Sequence, residues 1–180
     1  MSHNALILLA TGRDRPGIVD RISGLVYNAG CNLEDSRMAL LGGEFALIVL
    51  FTGSTKELQE VRDGVPPMAE ALDLTVQLKE TVAGPEARQG RARDVRYRLH
   101  AVAMDHPGIV HKLTQVLLEY QVNVARLDTT LSNAPVSGTP IFSIEMETEV
   151  PADVAFAALR GHLARFAEAE NIDLEFRVAK

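Results

Sequence analysis

The hexapeptide Asp14-Arg15-Pro16-Gly17-Ile18-Val19 recurs as Asp105-His106-Pro107-Gly108-Ile109-Val110, with five identities in six. Each copy stands just ahead of an amphipathic stretch, so each places a glycine where a helix begins. The first N–H groups of a helix have no intrahelical partner and carry a partial positive charge. Glycine at 17 or 108 has no side chain to obstruct them, so a free carboxylate can approach closely. Asp14 or Asp105 can accept hydrogen bonds from an ammonium group, and the amide of Asn32 or Asn123 can both donate and accept. That mixture of partners suits a zwitterion. The same residues also have purely structural uses: aspartate near a helix start caps it, and asparagine before a strand completes a turn.

The elements that must hold these residues follow from the repeat. From position 14 to position 105 the offset is 91 residues, and it also carries Ile22 to Leu113, Leu25 to Val116, Val26 to Leu117 and Asn32 to Asn123. A strand precedes each copy: residues 5–11 are almost wholly apolar, while Tyr97, Leu99, Ala101 and Ala103 alternate with Arg98, His100, Val102 and Met104. The first helix then carries Ile18, Ile22, Leu25, Val26 and Ala29 on one side, and its counterpart carries Ile109, Leu113, Val116, Leu117 and Tyr120. Proline is expected in the first helical turn, and Gly30 in the left-handed position that ends the first helix.

Strands at 33–40 and 45–51 follow, joined by a hairpin through Leu41-Gly42-Gly43-Glu44. In the second copy, strands at 124–130 and 141–148 are joined by the longer segment 131–140, which shifts the offset to 97, as from Phe45 to Phe142. Each copy closes with a helix and a strand, at 56–72 and 74–78 and at 152–169 and 172–178. Pro151 is expected in the first turn of the last helix, and Pro66-Pro67 should kink or divide its counterpart.

The order βαββαβ, twice over, predicts an α/β (α+β) chain of two ferredoxin-like units at residues 4–80 and 95–179, with a linker at 81–94. Right-handed crossovers put both helices on one face of an antiparallel four-stranded sheet, with 45–51 and 141–148 in central positions. Both sides of strand 45–51 are apolar, which predicts contact of the bare sheet face with another copy or chain and a homodimer in solution.

With 180 residues and 47% hydrophobic content, the chain can build a core as one domain or two. Its net charge of -6 and its single arginine cluster, Arg88, Arg91, Arg93, Arg96 and Arg98 interrupted by Asp94, argue against direct DNA binding. The start Met1-Ser2-His3-Asn4 has no signal-like pattern and no apolar run reaches 18 residues, so a soluble, cytoplasmic protein without membrane contact is expected. Cys31 has no disulfide partner and reads as a small core residue. His100, His106 and His111 fall on a strand, a turn and a helix, which is no geometry for a metal. No nucleophile turn, phosphate loop or metal helix is present, and Ser23 and Ser36 have no identifiable acid and histidine beside them. Neither a cofactor nor an enzymatic activity is expected.

The Asp-x-Pro-Gly-Ile-Val turn, the helix after it, and the positions of Asn32 and Asn123 resemble the ACT domain, a small amino-acid-sensing module, over nearly the whole chain. The tandem arrangement without an enzyme domain, together with Leu131-Ser132-Asn133-Ala134-Pro135-Val136-Ser137-Gly138-Thr139-Pro140-Ile141-Phe142, resembles the glycine cleavage system transcriptional repressor group. The resemblance implies a small amino acid, glycine first, bound at Asp14, Arg15, Pro16, Gly17 and Ile18 with Asn32, and at Asp105, His106, Pro107, Gly108 and Ile109 with Asn123, often where two modules meet. It also implies repression of glycine cleavage genes through contact with a transcriptional activator. Two alternatives are a structural or assembly role without ligand, and an amino-acid sensor that regulates an enzyme. Serine-sensing relatives carry a histidine two residues before the first polar position of the turn, where this chain has Gly12 and Ala103. His106 in place of Arg15 makes the two turns unequal.

Overall fold

The computed structural model describes residues 3–83, 94–135 and 137–179. The chain forms two compact units, Met1–Gln89 and Gly90–Lys180. The first contains β1 (His3–Arg13), α1 (Ile18–Asn28), β2 (Asn32–Leu41), β3 (Glu44–Thr52), α2 (Thr55–Leu72) and β4 (Thr75–Ala83). The second contains β5 (Val95–Met104), α3 (Ile109–Glu119), β6 (Asn123–Asn133), β7 (Pro140–Val150), α4 (Phe156–Glu170) and β8 (Asp173–Val178). Both sheets are antiparallel, in the orders β2-β3-β1-β4 and β6-β7-β5-β8, so β3 and β7 are internal as the sequence predicts.

Period-two alternation makes each central strand two-sided. In unit 1, Leu6, Leu8 and Ala10 of β1 and Phe45, Leu47, Val49 and Phe51 of β3 are buried beneath Ile18, Ile22 and Val26 of α1 and Leu58, Val61 and Val65 of α2. A single cluster therefore joins one sheet face to both helices. Unit 2 builds the same layer, and three of its positions are aromatic: Tyr97 stacks on Phe156 and Phe176 with ring centroids 4.8 and 4.9 Å apart. The corresponding residues of unit 1 are Leu6, Leu58 and Leu78.

The helix ends show why these segments stop where they do. Gly30 (φ 80°) closes α1, with its N–H donating to Tyr27 O and that of Cys31 to Val26 O. At the matching place after α3 the left-handed residue is Gln121 (φ 54°). Ser54 and Glu57 form a reciprocal capping box at the start of α2: Ser54 N–H donates to Glu57 Oε2 (2.6 Å) and Glu57 N–H to Ser54 Oγ (3.3 Å). Gly42 and Gly43, both at positive φ, form the β2–β3 hairpin.

Three local expectations need correction. Pro66 and Pro67 do not divide α2, which runs unbroken from Thr55 to Leu72; both prolines lie on its exposed side, while Leu58, Val61 and Val65 anchor the helix to the core. Residues 151–155 form a turn, closed by Val154 N–H to Pro151 O, which brings Val154 against the core and delays α4 until Phe156. Pro16 and Pro107 precede the N-cap glycines and so lie outside the first helical turns. In addition, β4 continues through Ala83, into the stretch expected as linker; residues 84–93 of that stretch, with Arg88, Arg91 and Arg93, lie outside the described residues. Arg96 and Arg98 belong to β5, each 4.0 Å from a glutamate of β7.

Phe51 is fully buried while Leu41, at the end of the edge strand β2, is 75% exposed. Phe51→Ala should cost about 3–5 kcal/mol in urea unfolding, and Leu41→Ala less than about 0.5 kcal/mol.

Candidate ligand-binding turns

Each turn leaves the C-terminal end of a central strand and enters a helix through a glycine. Gly17 and Gly108 are the N-caps of α1 and α3, both at φ 95°, a left-handed conformation that favours glycine. Apart from the adjoining residues, nothing lies within 4 Å of where a Cβ would stand at either position, so the space beside each glycine is open. Neither has a side-chain cap, so Asp14 and Asp105 do not take up the capping role open to them in the sequence. Both aspartates are exposed.

Their main chains are pinned: Asp14 N–H donates to Gly43 O (3.2 Å), and Asp105 N–H to Pro140 O (3.1 Å). The first turn is thus tied to the β2–β3 hairpin, and the second to the start of β7. The next residue ties each turn to the end of the second helix. Arg15 donates from its guanidinium to Leu72 O, the last residue of α2, where the helix dipole favours a cation. In unit 2, Lys112 Nζ lies 2.8 Å from both carboxylate oxygens of Glu170, the last residue of α4, and His106 Nε2 lies 3.9 Å from the same group. Sequence reasoning missed Lys112 and Glu170. The signal was present, since the offset of 91 pairs Arg21 with Lys112 and so repeats a cation one turn into each helix.

The two helix starts differ in charge. The first turn of α1 contains Asp20, which opposes a second anion, whereas the first turn of α3 contains no acidic residue and has His111 at the matching position. The first turn of α3 therefore adds no negative charge of its own, and the Glu170 carboxylate beside it is paired with Lys112.

The asparagines lie elsewhere. Asn32 is level with Ala5 across the sheet, through Thr52, and Asp14 is nine residues beyond Ala5, a separation of roughly 30 Å. Asn123 is level with Arg96, through Glu149, nine residues before Asp105. Within one unit the turn and its asparagine cannot touch the same small ligand. Each asparagine donates instead to a glutamate: Asn32 to Glu34 Oε1 (2.8 Å), which also accepts from Thr52 Oγ1 (2.9 Å), and Asn123 to Glu149 Oε2 (3.0 Å). Both bonds adjoin a register shift, between Leu33 and Asp35 or between Val124 and Arg126, and hold that irregularity in place.

Gly12 explains the departure from a histidine in unit 1. A Cβ there would meet Leu74 Cδ2 at 2.7 Å and Asp73 O at 3.0 Å, so the strand end has no room for a side chain on that face. Ala103, its counterpart, is buried in the core of unit 2. Beside Gly12, a shallow depression of about 470 Å³ opens between Thr11, Ala39, Leu41, Ala46 and Thr75. Cys31 is partly buried, and that burial, with Glu57 and Glu60 nearby, pushes its thiol up, which disfavours the reactive thiolate. His100 of β5 lies 3.4 Å from Glu145 of β7, and His111 is exposed on α3. Among the described residues no helix is long and apolar enough to cross a membrane.

Two βαββαβ units, each with a glycine-opened helix start after its first strand, define a tandem ACT-domain protein, and the ACT domain family model matches residues 4–79. The glycine cleavage system transcriptional repressor of Escherichia coli (strain K12) is 30% identical over 98% of this chain and 84% of its own length, as is that of Shigella flexneri. The chain belongs to the family of that repressor, whose matched members are regulators and not catalysts. A crystal structure of an unknown protein from Galdieria sulphuraria superposes over 100% of both chains with a TM-score of 0.82 and 26% identity. One assigned to the glycine cleavage system transcriptional repressors covers 98% of both chains, with a TM-score of 0.69 and 25% identity.

Gly12→Ala should destabilise the protein by about 1–3 kcal/mol in urea unfolding, because Leu74 must leave its site or the strand end must shift. Unchanged stability would show that Leu74 gives way freely.

Proposed function

We propose that this protein is an amino-acid-responsive repressor of glycine cleavage genes, acting in the cytoplasm through contact with a transcriptional activator. The observation that carries this reading is the likeness to the Escherichia coli repressor over 98% of the chain, in a protein whose two helix starts are open beside uncapping aspartates. Glycine is the first candidate ligand. Its carboxylate meets the free N–H groups at the start of α3, its ammonium meets Asp105, and a ligand without a side chain needs no specificity pocket. The turn in unit 2 is the better receptor, since α3 lacks the Asp20 carboxylate that faces an anion at α1. Unit 1 supplies a weaker second turn of the same form. A net charge of -6 favours an activator as the contact, since an acidic body is repelled by DNA phosphates.

Titration calorimetry of the full chain with glycine, serine and alanine tests the ligand. Asp105→Asn should weaken glycine binding by about 1.5–3 kcal/mol, roughly 10- to 150-fold, and Asp14→Asn by less, with urea stability unchanged in both. No binding of any amino acid at millimolar concentration, or affinities untouched by either substitution, would remove the sensor reading. Gel-shift measurements at physiological salt test the partner: the isolated protein should leave a glycine cleavage promoter duplex unshifted and bind it only together with an activator. Specific duplex binding by the protein alone would overturn that mechanism.

A further inference from the structure

The sheet faces turned away from the helices differ completely between the two units. On the open face of unit 1, hydrogen-bonded register sets Asp35, Leu50, Ile7 and Lys79 in one row across the four strands, and Arg37, Ile48, Leu9 and Gln77 in the next. The centre of this face is therefore apolar and its two margins are charged or polar. Leu9 and Ile48 are 38% and 39% exposed. The repeat places Arg98, His100, Glu145 and Glu147 of unit 2 where unit 1 has Ile7, Leu9, Ile48 and Leu50. The rows become Arg126, Glu147, Arg98 and Arg177, then Asp128, Glu145, His100 and Glu175, with Arg98 4.0 Å from Glu147 and His100 3.4 Å from Glu145. One register thus carries an apolar quartet in one unit and cross-strand charge pairs in the other.

We propose that the open face of unit 1 packs against the same face of a second copy of this chain, about a two-fold axis running along the strands between β1 and β3. The axis turns each row end for end onto itself. Leu50 of one copy then lies over Ile7 of the other, and Asp35, which pairs with Arg37 at 2.5 Å in its own copy, lies toward the other copy's Lys79. The face is self-complementary in both apolar character and charge, as an isologous contact requires. The matching face of unit 2 has the opposite character: an apolar surface laid on it would strip water from Arg98, Glu145 and Glu147 and offer them no new partner. Four strands spaced by about 4.8 Å and nine residues long give a footprint of about 550 Å² on each copy, so that both together exceed the roughly 1,000 Å² that a specific interface needs.

Sedimentation of the full chain at micromolar concentration should give a dimer. Transplanting the residues of unit 2 by Ile7→Arg, Leu9→His, Ile48→Glu and Leu50→Glu should weaken association about a hundredfold or more. Unit 2 holds that set in the same register, so the sheet accepts it, and circular dichroism should be unchanged. Lys79→Glu should weaken the dimer about tenfold and Asp35→Lys added to it should restore association, while Glu145→Gln in unit 2 should leave the mass unchanged. A monomeric wild type, or a dimer that survives the transplant with its affinity intact, overturns the proposal. Failure of Asp35→Lys to rescue Lys79→Glu overturns the two-fold arrangement. None of these readouts depends on amino-acid binding, so they stand or fall apart from the ligand titrations.

Discussion

The antiparallel pairing of β1 with β3, from Ala5 opposite Thr52 to Arg13 opposite Glu44, is the constraint on which the rest of unit 1 depends. A strand's side chains alternate between faces, so this one register commits Leu6, Leu8 and Ala10 to the helices and Ile7 and Leu9 to the opposite side. A slip of one residue would exchange the two sets and leave the helices without a core. The same register decides where β1 ends relative to the β2–β3 hairpin, and hence that Asp14 N–H reaches Gly43 O. β5 and β7 repeat the arrangement in unit 2, where Asp105 N–H reaches Pro140 O.

Most of this fold is legible in the sequence, because period-two alternation and a duplicated turn are local signals that survive without knowledge of tertiary contacts. The left-handed Gly30, the two-glycine hairpin and the internal strands 45–51 and 141–148 all follow from them. The persistence of α2 through Pro66-Pro67 does not. A proline pair inside a helix removes the same local hydrogen bonds in any context, but whether the helix survives depends on Leu58, Val61 and Val65 being held by the sheet, which is a tertiary term.

The candidate site divides in the same way. That Gly17 and Gly108 open the helix starts is written in the repeat. The separation of Asn32 from Asp14 is not visible in a shared offset, which preserves both residues and says nothing of distance; it emerges only when β1 and β2 are both seen to run antiparallel to β3, and so parallel to one another. The asparagines then belong to the opposite end of the sheet, where they steady a bulge. The ties from Arg15 to Leu72 and from Lys112 to Glu170 span more than fifty residues each and carry no local mark.

Those two ties have unequal evolutionary freedom. Arg15 holds a main-chain carbonyl, a group that every amino acid supplies, so position 72 can drift without loosening the turn as long as the helix ends there. Lys112 holds the side chain of Glu170, and a change at 170 would release it. Substitutions at 112 and 170 are therefore bound to one another, and the two turns, built on one plan, have different latitude to acquire new specificities: the first by altering what surrounds its anchor, the second only by moving two residues in concert.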